Sequence, residues 1–294
     1  MLFHNDFDSY LMNRELHPKE SGNKEWESIV IEERELAIAF PKEKKYKVLL
    51  IEPHPDDVVL SMGASLLQLI EDAMNVLCLC IFSRGGQEES IRKQESYYIW
   101  KEQLGSRILF GELTDYAYRK AESTSELVTF RQCTELLEKV ISVEEPDFLI
   151  GPMGMGEHID HSLVNQALFE IGKKEKKKIL FYEDFPYSTR DKYYYMKAVN
   201  KGKKKWNLNP LYNPVKKYVE NKTKLCMAYQ SQIQSTWDEM LEVFVHYGKA
   251  IGYEGSYVNR PLNSYELYER FWFKLEEETD SRILFPNGIQ GKER

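Results

Sequence analysis

The chain has little of what marks an exported, membrane-spanning or nucleic-acid-binding protein. Its 294 residues include only four cysteines, Cys78, Cys80, Cys133 and Cys226. Cys78 and Cys80 share one face of the apolar run VLCLCIF, but no second C-x-C or C-x-x-C completes a thiolate metal set. They read as reduced core residues. The N-terminal stretch MLFHNDFDSYLMNRELHPKE lacks a continuous apolar centre and does not read as a signal peptide. No apolar run is long enough to span a bilayer, so no transmembrane segment is expected and the cytoplasm is the expected location. An excess of positive charge is also missing. Lys and Arg number 40 against 47 Asp and Glu, a net charge of -7, which argues against nucleic acid as a partner. Internal repeats and low-complexity tracts are absent.

Apolar, β-branched runs alternate with segments of helical spacing. KYKVLLIEP, NVLCLCIFS, RILFGEL, PDFLIGP and KKILFYEDF read as five buried strands. VLSMGASLLQLIEDA, ESIRKQESYYIWKEQLG, ELVTFRQCTELLEKVIS and HSLVNQALFEIGKK read as the helices between them. This pattern predicts an α/β fold, Rossmann-like, with a mostly parallel sheet and helices on both faces. Beyond about residue 185 the alternation weakens. KAVNKGKKKWNLNP reads as a basic loop, while VKKYVENKTKLCMAYQSQI, TWDEMLEVFVHYGKAI and NSYELYERFWFKL read as helices. The expected organisation is an N-terminal arm over 1–45, an α/β domain over 46–235, and a C-terminal helical extension of that domain over 236–294.

In sheets of this kind, ligands sit outside the carboxyl ends of the strands. The first strand ends in Pro53-His54-Pro55-Asp56-Asp57, where a dinucleotide binder would carry G-x-G-x-x-G. His54 and Asp57 are three apart, so one turn can aim both at a point. Asp56 then faces elsewhere, near a metal but not on it, as suits a general base. The fourth strand ends in GPMGMG and then Glu157-His158-Ile159-Asp160-His161. Alone, His-Pro-Asp-Asp reads equally well as a helix cap, and HIDH reads more readily as a polar turn. Together, each directly after a buried strand, they point to a metal site of His54, Asp57 and His161 with a fourth position open. Zinc suits these donors, and iron or cobalt fits the same set. Asp115, after the third strand, is placed either to bond sugar hydroxyls or to cap a turn. Arg84 is placed either to meet a substrate or to sit solvated on its loop.

EPHPDDVVLSMGASL and GEHIDHSLV resemble the two signature motifs of the PIG-L/LmbE-like N-acetylglucosaminyl deacetylase family. Weaker likeness follows at Ser83-Arg84-Gly85-Gly86, Arg92-x-x-Glu95, LTDY and Lys224 through Gln232, so it covers roughly residues 46–235. The resemblance implies a metal-dependent hydrolase that uses zinc-activated water to remove an N-acetyl group from an amino sugar, as a glycoside, glycolipid or antibiotic intermediate. It implies His54, Asp57 and His161 as ligands, Asp56 as base, and His158 as the group that steadies the oxyanion or acts as acid. Asp160 would orient His158. Two departures stand out: Gly156 occupies a position where some members carry a carbonyl-polarising tyrosine, and the loop after the second strand reads SRGGQEES. The implied partner is a small-molecule amino sugar, and a homo-oligomer is left open. The rival readings are a Rossmann-like nucleotide- or cofactor-binding enzyme, such as a methyltransferase, and a non-catalytic sugar-binding protein.

Overall fold

The computed structural model describes residues 46–86, 88–122, 125–156, 158–175, 177–190, 192–255, 265–274, 284–285 and 287–290. The arm expected over 1–45 lies outside them. Five parallel strands form as the apolar runs predict: β1 (Lys47–Glu52), β2 (Asn75–Cys80), β3 (Arg107–Phe110), β4 (Phe148–Pro152) and β5 (Lys178–Tyr182). Three antiparallel strands continue the sheet: β6 (Leu208–Pro214), β7 (Tyr268–Lys274) and β8 (Ile289–Gln290). The order is β3-β2-β1-β4-β5-β7-β6-β8. The chain winds outward from β1 to β3, then returns to place β4 on the other side of β1. That reversal opens a crevice at the carboxyl ends of β1 and β4, where the two histidine motifs fall.

The strands alternate their side chains between two apolar layers. Val48, Leu50, Val76, Cys78, Phe148 and Ile150 pack into one, with α1 (Asp57–Glu71), α8 (Val219–Met227) and α9 (Trp237–Gly255). Leu49, Ile51, Leu77, Leu79 and Leu149 pack into the other, with α4 (Glu126–Glu144), α5 (Ile159–Glu175) and α7 (Lys192–Trp206). Shorter helices are α2 (Glu89–Tyr97), α3 (Tyr116–Glu122) and α6 (Tyr187–Arg190). All four cysteines are buried and free, in keeping with core roles. Among the described residues no helix is long and apolar enough to cross a membrane.

Two segments differ from the sequence reading. Within NSYELYERFWFKL, Tyr268–Lys274 form no helix but the strand β7, hydrogen-bonded between β5 and β6. Its aromatics favour a buried strand, and its charges Glu269 and Arg270 are buried rather than solvated. The basic stretch around 197–206 is not a loop but the second half of α7. Lysine and alanine are good helix formers, and Val199 and Trp206 give the helix a buried side. Trp206 stacks on Phe169 with centroids 3.6 Å apart, so it fastens α7 to α5. Asn207, with φ 54°, stops the helix in the left-handed region.

Candidate metal centre

After β1 the chain turns sharply. Asp56 has φ 108° and ψ -28°, a costly conformation for a side-chain-bearing residue, and α1 begins at Asp57. The turn is tied by the His54 N–H donating to Asp57 Oδ2 at 2.8 Å. The same Oδ2 lies 3.4 Å from His54 Nδ1 and 3.4 Å from His161 Nε2. Arms of 2.0–2.1 Å around a tetrahedral zinc place its donor atoms about 3.3–3.4 Å apart. The two separations match two edges of such a polyhedron.

The far nitrogen of each ring is held by its own carboxylate. His54 Nε2 meets Asp160 Oδ2 at 2.9 Å, and His161 Nδ1 meets Asp184 Oδ1 at 2.6 Å. Carboxylates in this position fix the tautomer and ring orientation of metal-binding histidines. His161 Nε2, buried, has no hydrogen-bond partner. Asp160 thus hydrogen-bonds His54, where the resemblance implied that it orients His158; its charge still acts on His158. Its remaining capacity is taken by the Tyr116 N–H at 2.9 Å and by the Arg119 guanidinium. Asp184 was not singled out in the sequence, although it stands directly after β5, where the strand-end rule points. Its Oδ2 also accepts the Met155 N–H at 3.0 Å, which ties it to the histidine loop.

His158 stands beside the pair, its ring centroid 4.8 Å from that of His54 and 5.1 Å from that of His161. Its Nδ1 is buried and unpartnered. Burial and the neighbouring imidazoles push its pKa down to about 3. One nitrogen each from His54, His158 and His161 lie within 4.8 Å of one another, and His54, Asp115 and Asp160 form a second such group. Asp115 Oδ2 is 3.6 Å from His54 Nε2, while its Oδ1 accepts the Ala117 N–H at 2.9 Å. It caps α3 and borders the site at once. Arg84 is held through its backbone, to Leu113 and Asp115, with its side chain exposed.

Both carboxylate oxygens of Asp56 are buried without a hydrogen-bond partner. Burial pushes its pKa up to about 7, against the pull of Arg92, whose Nη2 is 3.9 Å away. Asp57 is the opposite case: burial would raise it, but His161 and His54 hold it well below the carboxylate range. Burial opposes charge on the imidazoles too, yet Asp115, Asp160 and Asp57 raise His54, and Asp57 and Asp184 raise His161. The centre thus gathers several buried carboxylates around two imidazoles, and the carboxylates favour positive charge there. A divalent cation fits this donor set, and it would bind through unprotonated imidazole nitrogens.

At the position of the first departure, Gly156 has φ +80°, and a Cβ there would lie 2.4 Å from Tyr187 Cβ. The space is taken by Tyr187, whose ring meets that of His161 edge-on at 5.1 Å.

Residues 49–172 match the profile of the PIG-L family, described as GlcNAc-PI de-N-acetylase. A curated relative, 2'-N-acetylparomamine deacetylase of Streptomyces fradiae, is 26% identical over 188 residues, which is 57% of this chain and 66% of the relative. The chain therefore spans just under two thirds of that relative's length. Among solved structures, the zinc-inhibited form of teicoplanin deacetylase superposes with a TM-score of 0.61 at 18% identity, covering 77% of this chain and 97% of that one. The deacetylase of the A40926 pseudoaglycone gives 0.62 at 19% identity, covering 78% and 97%. These two structures share the fold described above.

Proposed function

From a chain that carries a PIG-L domain over residues 49–172, we propose a zinc-dependent hydrolase that removes the N-acetyl group from an amino sugar in a small conjugate, such as an antibiotic intermediate. The observation that carries this reading is Asp57 Oδ2, set 3.4 Å from the inner nitrogens of two histidines whose outer nitrogens are each held by a carboxylate. Hydrolase function follows from what surrounds that set, and the sugar class from the named activity of the curated relative.

His54, Asp57 and His161 would hold the ion. Zinc held there would supply Lewis acidity and lower the pKa of water towards about 7. Asp56, buried with no bond of its own, is the proton acceptor for water attacking the amide carbon. Burial strengthens the hold of Asp56 on a proton, and Arg92 works against it. His158, with an open Nδ1, faces the charge that develops on the carbonyl oxygen. Collapse of the tetrahedral species breaks the C–N bond, sends a proton to the leaving nitrogen, and yields acetate and the free amine. Arg84 and Asp115 border the approach and are assigned to sugar hydroxyls. The zinc-binding chain is read as acting on a soluble small molecule in the cytoplasm.

The test is acetate release from a panel of free and conjugated N-acetyl amino sugars, with chelator, without it, and after zinc is restored. Chelator-sensitive, zinc-restored release from at least one member is expected. Silence across the panel in protein shown to carry stoichiometric zinc would overturn the deacetylase reading.

A further inference from the structure

α1 begins at Asp57 and is buried along nearly its whole length, yet it is not one continuous helix. Met62 has φ -132° and ψ 24°, and the helix is broken there. A break inside the core exposes backbone donors and acceptors with no water to meet them. Two charged side chains meet them instead. Glu269 of β7 accepts the Ala64 N–H at 3.3 Å and the Ser65 N–H at 2.8 Å. Lys222 of α8 donates to the Ser61 carbonyl at 3.3 Å and to Glu269 Oε1 at 2.8 Å. Both are buried, and the ammonium also lies 4.2 Å from the centroid of the Phe244 ring. Gly63, at the break, admits the lysine stem: a Cβ there would stand 3.0 Å from Lys222 Cγ.

Stability alone gives no reason to bury two charges, since an apolar pair of like volume is often as stable. Geometry does. The break leaves Asp57 on a piece of helix little longer than one turn, whose start is tied by the Val58 N–H to Glu52 Oε2 at 3.2 Å. Its end is Ser61, held at its carbonyl by Lys222. The Ser61 hydroxyl accepts the Phe185 N–H at 3.1 Å, and Phe185 follows Asp184, the partner of His161. The same point therefore anchors the carboxylate of Asp57 and the strand end that aims His161.

We propose that Lys222 and Glu269 are positioning residues for the metal centre, acting through the break in α1. The inference rests on the metal site proposed above. It means that residues outside the matched segment 49–172 complete that site. Cobalt binding to the full chain tests it, read by competition titration, by the visible absorption of the bound ion, and by the melting temperature of the metal-free protein. Glu269→Gln and Lys222→Met are each expected to weaken binding by about tenfold, the low end for groups behind metal ligands, and to alter the cobalt spectrum. Lys222→Arg, which keeps the charge, is expected to restore part of both. Variants that melt lower but bind cobalt with wild-type affinity and spectrum would show a purely structural pair and overturn the proposal. If Glu269→Gln does not fold, Lys222→Met decides, because it leaves the two bonds from Ala64 and Ser65 to Glu269 in place. A wild-type chain that binds no cobalt would instead bring down the metal reading itself.

Discussion

Asp184→Asn isolates the orientation of one histidine from everything else in the centre. Asp184 uses one oxygen for His161 Nδ1 at 2.6 Å and the other for the Met155 N–H at 3.0 Å, all of it buried. Asparagine has nearly the same volume but only one acceptor. The Met155 N–H requires an acceptor, so the amide oxygen goes there and the NH2 group turns to His161. That group can only donate, which forces His161 to accept at Nδ1 and to carry its proton on Nε2. Nε2 is the atom that faces Asp57, and a protonated nitrogen cannot ligate. Loss of such a partner weakens metal binding by roughly 10–100-fold, or about 1.4–2.8 kcal/mol. The assay is zinc competition against a chromogenic chelator, beside circular dichroism of the metal-free variant. Asp184→Ala serves as a contrast, since it also orphans the Met155 N–H, at about 1–3 kcal/mol of stability. Wild-type zinc affinity in a folded Asp184→Asn would refute the tautomer argument.

Asp56→Ala is expected to keep zinc and lose turnover by about a hundredfold or more; metal analysis and acetate release on one sample check it, and a zinc-loaded variant at wild-type rate removes Asp56 as the base. Zinc at a hundred times its dissociation constant is expected to stabilise the fold by about 2.7 kcal/mol, raising the melting temperature by roughly 5 °C. Identical melts in zinc and in chelator would contradict a preformed site. Glu183 accepts from Arg270 Nε at 2.6 Å, Trp272 Nε1 at 2.9 Å and Tyr247 Oη at 2.8 Å. Glu183→Ala leaves a buried guanidinium without its carboxylate and is expected to cost about 3–5 kcal/mol in urea unfolding; a loss under about 1 kcal/mol would mean that Arg270 finds water or another anion.

The parallel half of the sheet was legible because its strands are short apolar runs with amphipathic helices between them, and each side-chain layer follows from period two. The strand-end rule then located His54, Asp57, His158 and His161, and the order β2-β1-β4 brings them together. What each carboxylate does was less legible. Asp160 is two residues from His158 in sequence, yet it serves His54, because the first turn of α5 aims it across the crevice towards Tyr116 and Arg119. Asp184 is 23 residues from His161, and only the pairing of β4 with β5 makes them neighbours.

The C-terminal part was misread for a physical reason. NSYELYERFWFKL reads as a helix, yet Glu269 and Arg270 within it lie in β7 and are buried. In β7 they are neighbours on a strand and point to opposite faces. Glu269 reaches the break in α1 behind Asp57, while Arg270 reaches Glu183, next to Asp184. Each is buried because its partner comes from a distant segment, Lys222 in one case and Glu183 in the other. Periodicity carries no information about such partners. The Glu269-Arg270 pair thus braces the sheet on both faces, behind the ends of β1 and β5 that carry Asp57 and Asp184 of the candidate metal site.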